Sequence, residues 1–183
     1  EFRSWVTLLE GPDGQSAQDS SASNEPVAPK PCVERHYETI FDQATAAAWF
    51  AKLREAGTFA FDTETTSLNY MQAQLVGVSF CCEAGKAAYL PLGHDYVGVP
   101  EQVNFDWALA ELKALLEDAS LNKVGQHIKY DMNVLARYGI HVQGVSADTM
   151  LESYVLNSTA TRHDMDSLAK FYLDESTISF ETL

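Results

Sequence analysis

Hydrophobic positions divide the chain into three stretches. From Val33 onward, apolar runs of strand length alternate with runs of helical period, whereas Gly11 to Pro31, GPDGQSAQDSSASNEPVAPKP, holds almost no large apolar side chain. A segment with so little to bury cannot offset the entropy of ordering, which predicts a linker. Ahead of it, EFRSWVTLLE carries Phe2, Trp5, Val6, Leu8 and Leu9 at near-helical spacing but is too short to bury them alone. The expected organisation is the tail of a preceding domain over 1–10, a linker over 11–31 and one domain over 32–183.

Within that domain a short strand is expected around Val33 to Ile40. Asp42 stands as an N-cap before a helix whose Ala46, Trp49, Phe50 and Leu53 share one face, ending at Gly57. Thr58 to Glu64, Gln74 to Cys82 and Lys86 to Leu90 read as strands, and their short connections predict an antiparallel meander. Phe105, Leu109, Leu112 and Leu116 mark a helix capped by Asn104. Lys123 to Ile128 is a short strand or turn entering a helix that runs to Tyr138. A further strand near Val145 precedes helices at Asp148 to Asn157 and Asp164 to Leu173. Strands first and strand–helix alternation later predict an α/β domain with a mixed sheet flanked by helices.

Charge narrows the possible partners. Lys+Arg 12 against Asp+Glu 26 gives a formal net charge of −14. Phosphate contacts need clustered cations, so an autonomous polyanion binder is excluded unless metal ions or another domain bring positive charge. Cys32, Cys81 and Cys82 form an odd set without C-x-x-C spacing, which points to reduced thiols in the cytoplasm rather than a disulfide framework or zinc site. No apolar run reaches the roughly 18 residues a membrane-spanning helix needs. The N-terminus has neither an initiating Met nor a signal-like stretch, so the chain is expected to be part of something longer.

The run FAFDTETTSL, Phe59 to Leu68, reads as a buried strand ending in two acids. Side chains at i and i+2 on a strand share a face, so Asp62 and Glu64 converge if the strand persists to Glu64. Like charges there repel unless protonated, paired or metallated. A hard cation such as Mg²⁺ takes carboxylate oxygens, which makes D-x-E half of a metal site; a solvated strand end is the plain alternative. In VGQHIKYD, Asp131 falls in the first turn of a helix with His127 four residues before it. An acid at that point either complements the helix dipole or adds a ligand.

FAFDTETTSL, VGQHIKYD, DTMLESYVLNS and RHDMDSLAKFYL together resemble the 3′-5′ proofreading exonuclease domain of bacterial DNA polymerase I, a family A polymerase. The resemblance runs from Val33 to Leu183, while EFRSWVTLLE is similar to the end of the polymerase's 5′-nuclease region. It implies a ribonuclease-H-like fold with a mixed, mainly five-stranded sheet, and a four-carboxylate DEDD site in its tyrosine-containing form. It implies two divalent metal ions, Mg²⁺ or else Mn²⁺ or Zn²⁺, with Asp62, Glu64 and Asp131 as the matching carboxylates. In that scheme Asp62 bridges the ions, Glu64 serves the nucleophile-side ion and Asp131 reaches the other through water. The implied partner is a single-stranded DNA 3′ end: Leu68 and Phe180 wedge or stack on its terminal bases, and Gln126, Tyr130 and Arg162 contact sugar or phosphate. For Leu68 and Phe180, core packing is the alternative. The polymerase domain of the same polypeptide is the other implied partner, in a monomer.

Two features depart from the family. His127 stands where the family has Asn, and it supports the site, joins Asp131 on a metal, or fills space. The family's last motif, Tyr followed four residues later by Asp, is absent from this sequence: Tyr172 is followed by Asp174 and Tyr37 by Asp42. This chain is therefore expected to be impaired as a nuclease, with the parent competent. A non-catalytic module of the polymerase and an RNA-trimming exonuclease of the same superfamily are the rival readings. His94 and Asp95 lack a nucleophile context and read as a loop, and His163 to Asp166 reads as a helix start capped by Asp164.

Overall fold

A computed structural model describes residues 34–178. The expectations for 1–10, for the linker over 11–31 and for Phe180 lie outside these residues.

Six strands, β1 (His36–Thr39), β2 (Thr58–Thr65), β3 (Leu75–Glu83), β4 (Lys86–Pro91), β5 (Asn122–Gly125) and β6 (Val145–Asp148), form one sheet in the order β1-β4-β3-β2-β5-β6. The meander is as expected: β2, β3 and β4 pair antiparallel. β1 on β4, β5 on β2 and β6 on β5 pair in parallel, so the sheet is mixed. The expectation of mainly five strands is corrected to six. Both edge strands are four residues long and only partly covered, so neither has the continuous apolar run that announces a buried strand.

β2 sits in the middle, and its alternation divides the molecule into two faces. Phe59, Phe61 and Thr63 point into the core, opposite Val78 and Phe80 of β3, while Ala60, Asp62 and Glu64 share the other face. Helix α1 (Gln43–Ala56) covers the core face through Ala46, Trp49, Phe50 and Leu53, and Phe50 meets Phe80 edge-on at 5.9 Å between ring centres. Its ends follow the sequence: the Asp42 carboxylate accepts from Thr45 N–H at 2.8 Å, and Gly57 at φ 70 closes the last turn. Helix α2 (Phe105–Leu116), capped by Asn104, buries Ala108, Leu112, Leu115 and Leu116.

Helices α3 (Lys129–Ala136) and α4 (Thr149–Leu156) follow β5 and β6 directly. The helix expected at Asp164 to Leu173 is α5 (Met165–Leu168) running into one wide π turn, Ala169–Leu173. Lys123 on β5 is fully buried, and its ammonium donates to the carbonyls of Asp118 and Leu121. Those carbonyls satisfy a cation that would otherwise be costly to bury. No helix among the described residues is long and apolar enough to cross a membrane.

Candidate active site

Because β2 persists to Thr65, Asp62 and Glu64 do share one face, and a bulge between Glu64 and Thr65 ends the regular ladder just beyond them. Asp131 arrives from the first turn of α3 and is 2% exposed. Its Oδ1 accepts both the Thr63 backbone N–H, at 2.9 Å, and the Thr63 hydroxyl, at 2.5 Å. Both bonds fall on one oxygen, which leaves Oδ2 for a further partner. The middle residue of D-T-E therefore fastens the third acid to the strand that carries the first two.

The electrostatics follow from this crowding. Burial first, then the charges of Asp131 and Glu64, push the Asp62 carboxyl up to about 7. Burial also raises Asp131, against the opposing pull of the Thr63 hydrogen bonds. Among the described residues, no three His, Cys, Asp or Glu side chains converge tightly enough to hold a metal ion. Three mutually repelling acids, one of them the exposed Glu64, have no reason to close on one point by themselves.

The start of α3 is shaped by a residue that the sequence marks only as a helix start. Asp148, at the end of β6, accepts from His127 N–H at 3.0 Å and Ile128 N–H at 3.1 Å, and also from Met150 N–H at 3.0 Å in α4. One carboxylate thus caps α4 and holds the turn between β5 and α3. His127 in that turn has φ 56, the left-handed region where Asn is favoured among side chains. It is exposed, so it does not fill space, and its nearby charge is a minor influence lowering Asp131.

The residues expected at the DNA end are spread around this centre. Leu68 is 96% exposed, which removes core packing as its role. Tyr130 holds the turn beneath it, its hydroxyl 2.6 Å from Thr65 Oγ1 and donating to the Ser67 carbonyl. Gln126 spends its amide inside the protein, donating to His163 O at 2.8 Å and accepting from the Thr149 hydroxyl. Arg162 is exposed, its Nε 3.4 Å from Asp164 Oδ2. A cavity of about 280 Å³, lined by Asp62, Ser79, Gln126, Thr149 and Met165 among others, lies beside the acids. A second of about 530 Å³, lined by Gln126, Thr149, Leu156, Met165 and Tyr172 among others, shares three of those residues.

The remaining candidates are structural. Asp164 caps α5 through Ser167 N–H at 2.8 Å, as its position suggested. His163 is buried with Nδ1 3.0 Å from Ser153 Oγ and Nε2 3.1 Å from the Ser158 carbonyl. The carbonyl can only accept, so Nε2 carries a proton, and the two contacts pin the loop to α4.

Residues 37–183 match the family described as 3′-5′ exonuclease. The chain is 53% identical over 185 residues to DNA polymerase I of Pseudomonas aeruginosa, covering 100% of this chain and 20% of that protein's length. Escherichia coli RNase D, a solved exoribonuclease involved in structured RNA processing, superposes with a TM-score of 0.60 at 20% identity, over 80% of this chain and 36% of that one. Brucella melitensis NrnC with bound Mg²⁺ superposes with a TM-score of 0.56 at 23% identity, over 80% and 65%. At such identity these two carry the fold alone, the ribonuclease-H-like exonuclease fold. The chain belongs to the 3′-5′ exonuclease family found as a domain of bacterial DNA polymerase I.

Proposed function

We propose that this domain hydrolyses the terminal phosphodiester of a single-stranded or frayed DNA 3′ end, the proofreading step of a DNA polymerase I. The observation that carries it is the junction of Asp131 with the strand of Asp62 and Glu64 through Thr63, which gathers three acids where they repel. Such a cluster does not serve folding. It suits hard divalent cations, which take carboxylate oxygens and relieve the repulsion. Asp62, Glu64 and Asp131 would hold them, through the Asp131 Oδ2 that Thr63 leaves open. Bound Mg²⁺, or Mn²⁺ or Zn²⁺, would supply a hydroxide nucleophile and stabilise the leaving oxygen.

The protein's own part is to bind and orient. Leu68, held out by the Tyr130-braced turn, meets the terminal base; the apolar cavity beside Asp62 receives the nucleotide; Arg162 reaches the phosphate. Base stacking tolerates any sequence, as removal of any misplaced nucleotide requires. In this reading 32–183 is the exonuclease domain of a cytoplasmic monomer, joined by 11–31 to the end of a 5′-nuclease region, and the polymerase domain shares the polypeptide. The Tyr-x-x-x-Asp that would orient the water and complete the ligands is not in this sequence, so this chain is impaired on its own.

The rival readings are a non-catalytic module of the polymerase and an RNA-trimming exonuclease. Nucleotide release from matched DNA and RNA oligonucleotides separates the possibilities. The proposal expects Mg²⁺-dependent release from DNA by a chain extended through the missing motif, less from the present chain, and none after Asp131→Ala. Equal rates for present and extended chains overturn the impairment. Preference for RNA overturns the substrate, and no release from any chain returns the module.

A further inference from the structure

Asp131 is oriented by Thr63, but Glu64 is exposed and accepts no hydrogen bond among the described residues. A carboxylate that serves a cation normally has a donor behind it, and the sheet places one beside Glu64. Glu64 faces Gly77 on β3, and Gly77 faces Pro91 on β4; one row down, Asp62 faces Ser79 and Ser79 faces Tyr89. Cross-strand partners share a face, so Tyr89 stands on the surface that carries both acids. Its ring leans from its own row over Gly77. A Cβ added at Gly77 would lie 2.2 Å from the Tyr89 hydroxyl oxygen, so only glycine opposite Glu64 lets the tyrosine lie there.

The hydroxyl is itself held. His94 Nε2 lies 2.7 Å from it, and the Gln102 side chain fixes the His94 backbone from both sides, accepting its N–H at 3.0 Å and donating to its carbonyl at 2.7 Å. The two rings meet edge-on at 5.8 Å. When His94 carries its proton on Nε2 it donates to the phenol oxygen, and the single phenol proton is then free to point elsewhere. Burial, and after it the charge of Glu64, push the Tyr89 hydroxyl up to about 12, so it remains a donor.

We infer that Tyr89 is a positioning residue for Glu64, donating its hydroxyl proton to that carboxylate when Glu64 takes a cation, with His94 Nε2–H holding the phenol oxygen. The inference rests on the reading of Glu64 as a cation ligand. It also gives His94, which lacks a nucleophile context, a role in its loop. The loop carrying His94 is a support for the acid face of the sheet.

The test follows the Glu64 carboxyl ¹³C signal of the full chain, assigned by its loss in Glu64→Gln, during titration with Mg²⁺. Tyr89→Phe keeps the ring over Gly77 and is expected to raise the Mg²⁺ concentration for half-maximal shift about 10-fold, the lower end for groups behind a metal ligand. Its melting temperature is expected to match the unmodified chain. His94→Leu is expected to act alike, whereas His94→Gln, which keeps an N–H donor, restores the affinity; a packing role would not separate those two. Coincident titrations of Tyr89→Phe and the unmodified chain overturn the inference and leave the ligand reading intact. A Glu64 signal that Mg²⁺ never moves overturns both.

Discussion

Asp131 and Thr63, 68 positions apart, are joined twice through a single carboxylate oxygen. That pair converts a helix-start acid into part of a strand-end cluster. Thr63→Val keeps shape and backbone N–H but deletes the hydroxyl donor. The expected loss is about 2 kcal/mol, typical of a buried hydrogen bond to a charged group. The Asp131 carboxyl also rises further, having lost an interaction that favours its ionised form. Urea denaturation at pH near neutral checks the first; Thr63→Ser, which retains the hydroxyl, is expected to recover most of it.

Asp62 makes stability depend on pH. Its carboxyl goes from an ordinary 3.8 to about 7 in the fold, so between these values the folded state binds more protons than the unfolded chain. Stability therefore falls as pH rises from about 4 to about 7, and the full cost is present above the folded value. Asp62→Asn removes this cost: its denaturation free energy is expected to be flatter across this window and higher than the unmodified chain's at pH 8 without added metal. Addition of Mg²⁺ is expected to raise stability in the unmodified chain and leave Asp62→Asn little changed. A steeper slope in the variant would contradict the assignment.

Asp148 serves two helices, so its loss is expected to exceed that of an ordinary cap. Asp148→Ala strips acceptors from His127, Ile128 and Met150 at once. A single cap is worth about 1 kcal/mol, and the two-sided role raises the expected cost to about 2–3 kcal/mol. The loss should not stay local. Amide exchange is expected to quicken at the start of α3, around Asp131, as well as in α4, whereas a cap for α4 alone would affect only the latter.

Local chemistry explains which parts could be read in advance. Asp42, Gly57, Asn104 and Asp164 announce helix ends by the side chains that such ends require, and each performs that role. The D-x-E pair followed from the two-residue period of a strand. Thr63 was hidden because alternation places it inward, where a threonine looks like ordinary packing, and its partner lies far off in sequence. Asp148 was visible only as the start of its own helix, and the turn it also holds comes from another crossover. Tyr89 needed the register of three strands, which no periodicity supplies. The Gln126 amide also meets His163 and Thr149, partners 37 and 23 positions away that no local pattern announces.

His127 yields the last prediction. Its φ of 56 lies in the left-handed region, which costs histidine more than Asn or Gly, and its backbone N–H is tied to Asp148, which holds the turn there. An Asn in this position meets the backbone requirement at lower cost. His127→Asn is expected to stabilise the chain by about 0.5–1 kcal/mol, measured by urea denaturation. Removing the imidazole also removes a minor influence that lowers Asp131, so that carboxyl is expected to rise slightly. A destabilised His127→Asn would show instead that the imidazole makes a contact the exposed ring does not display, and that the turn tolerates histidine without strain.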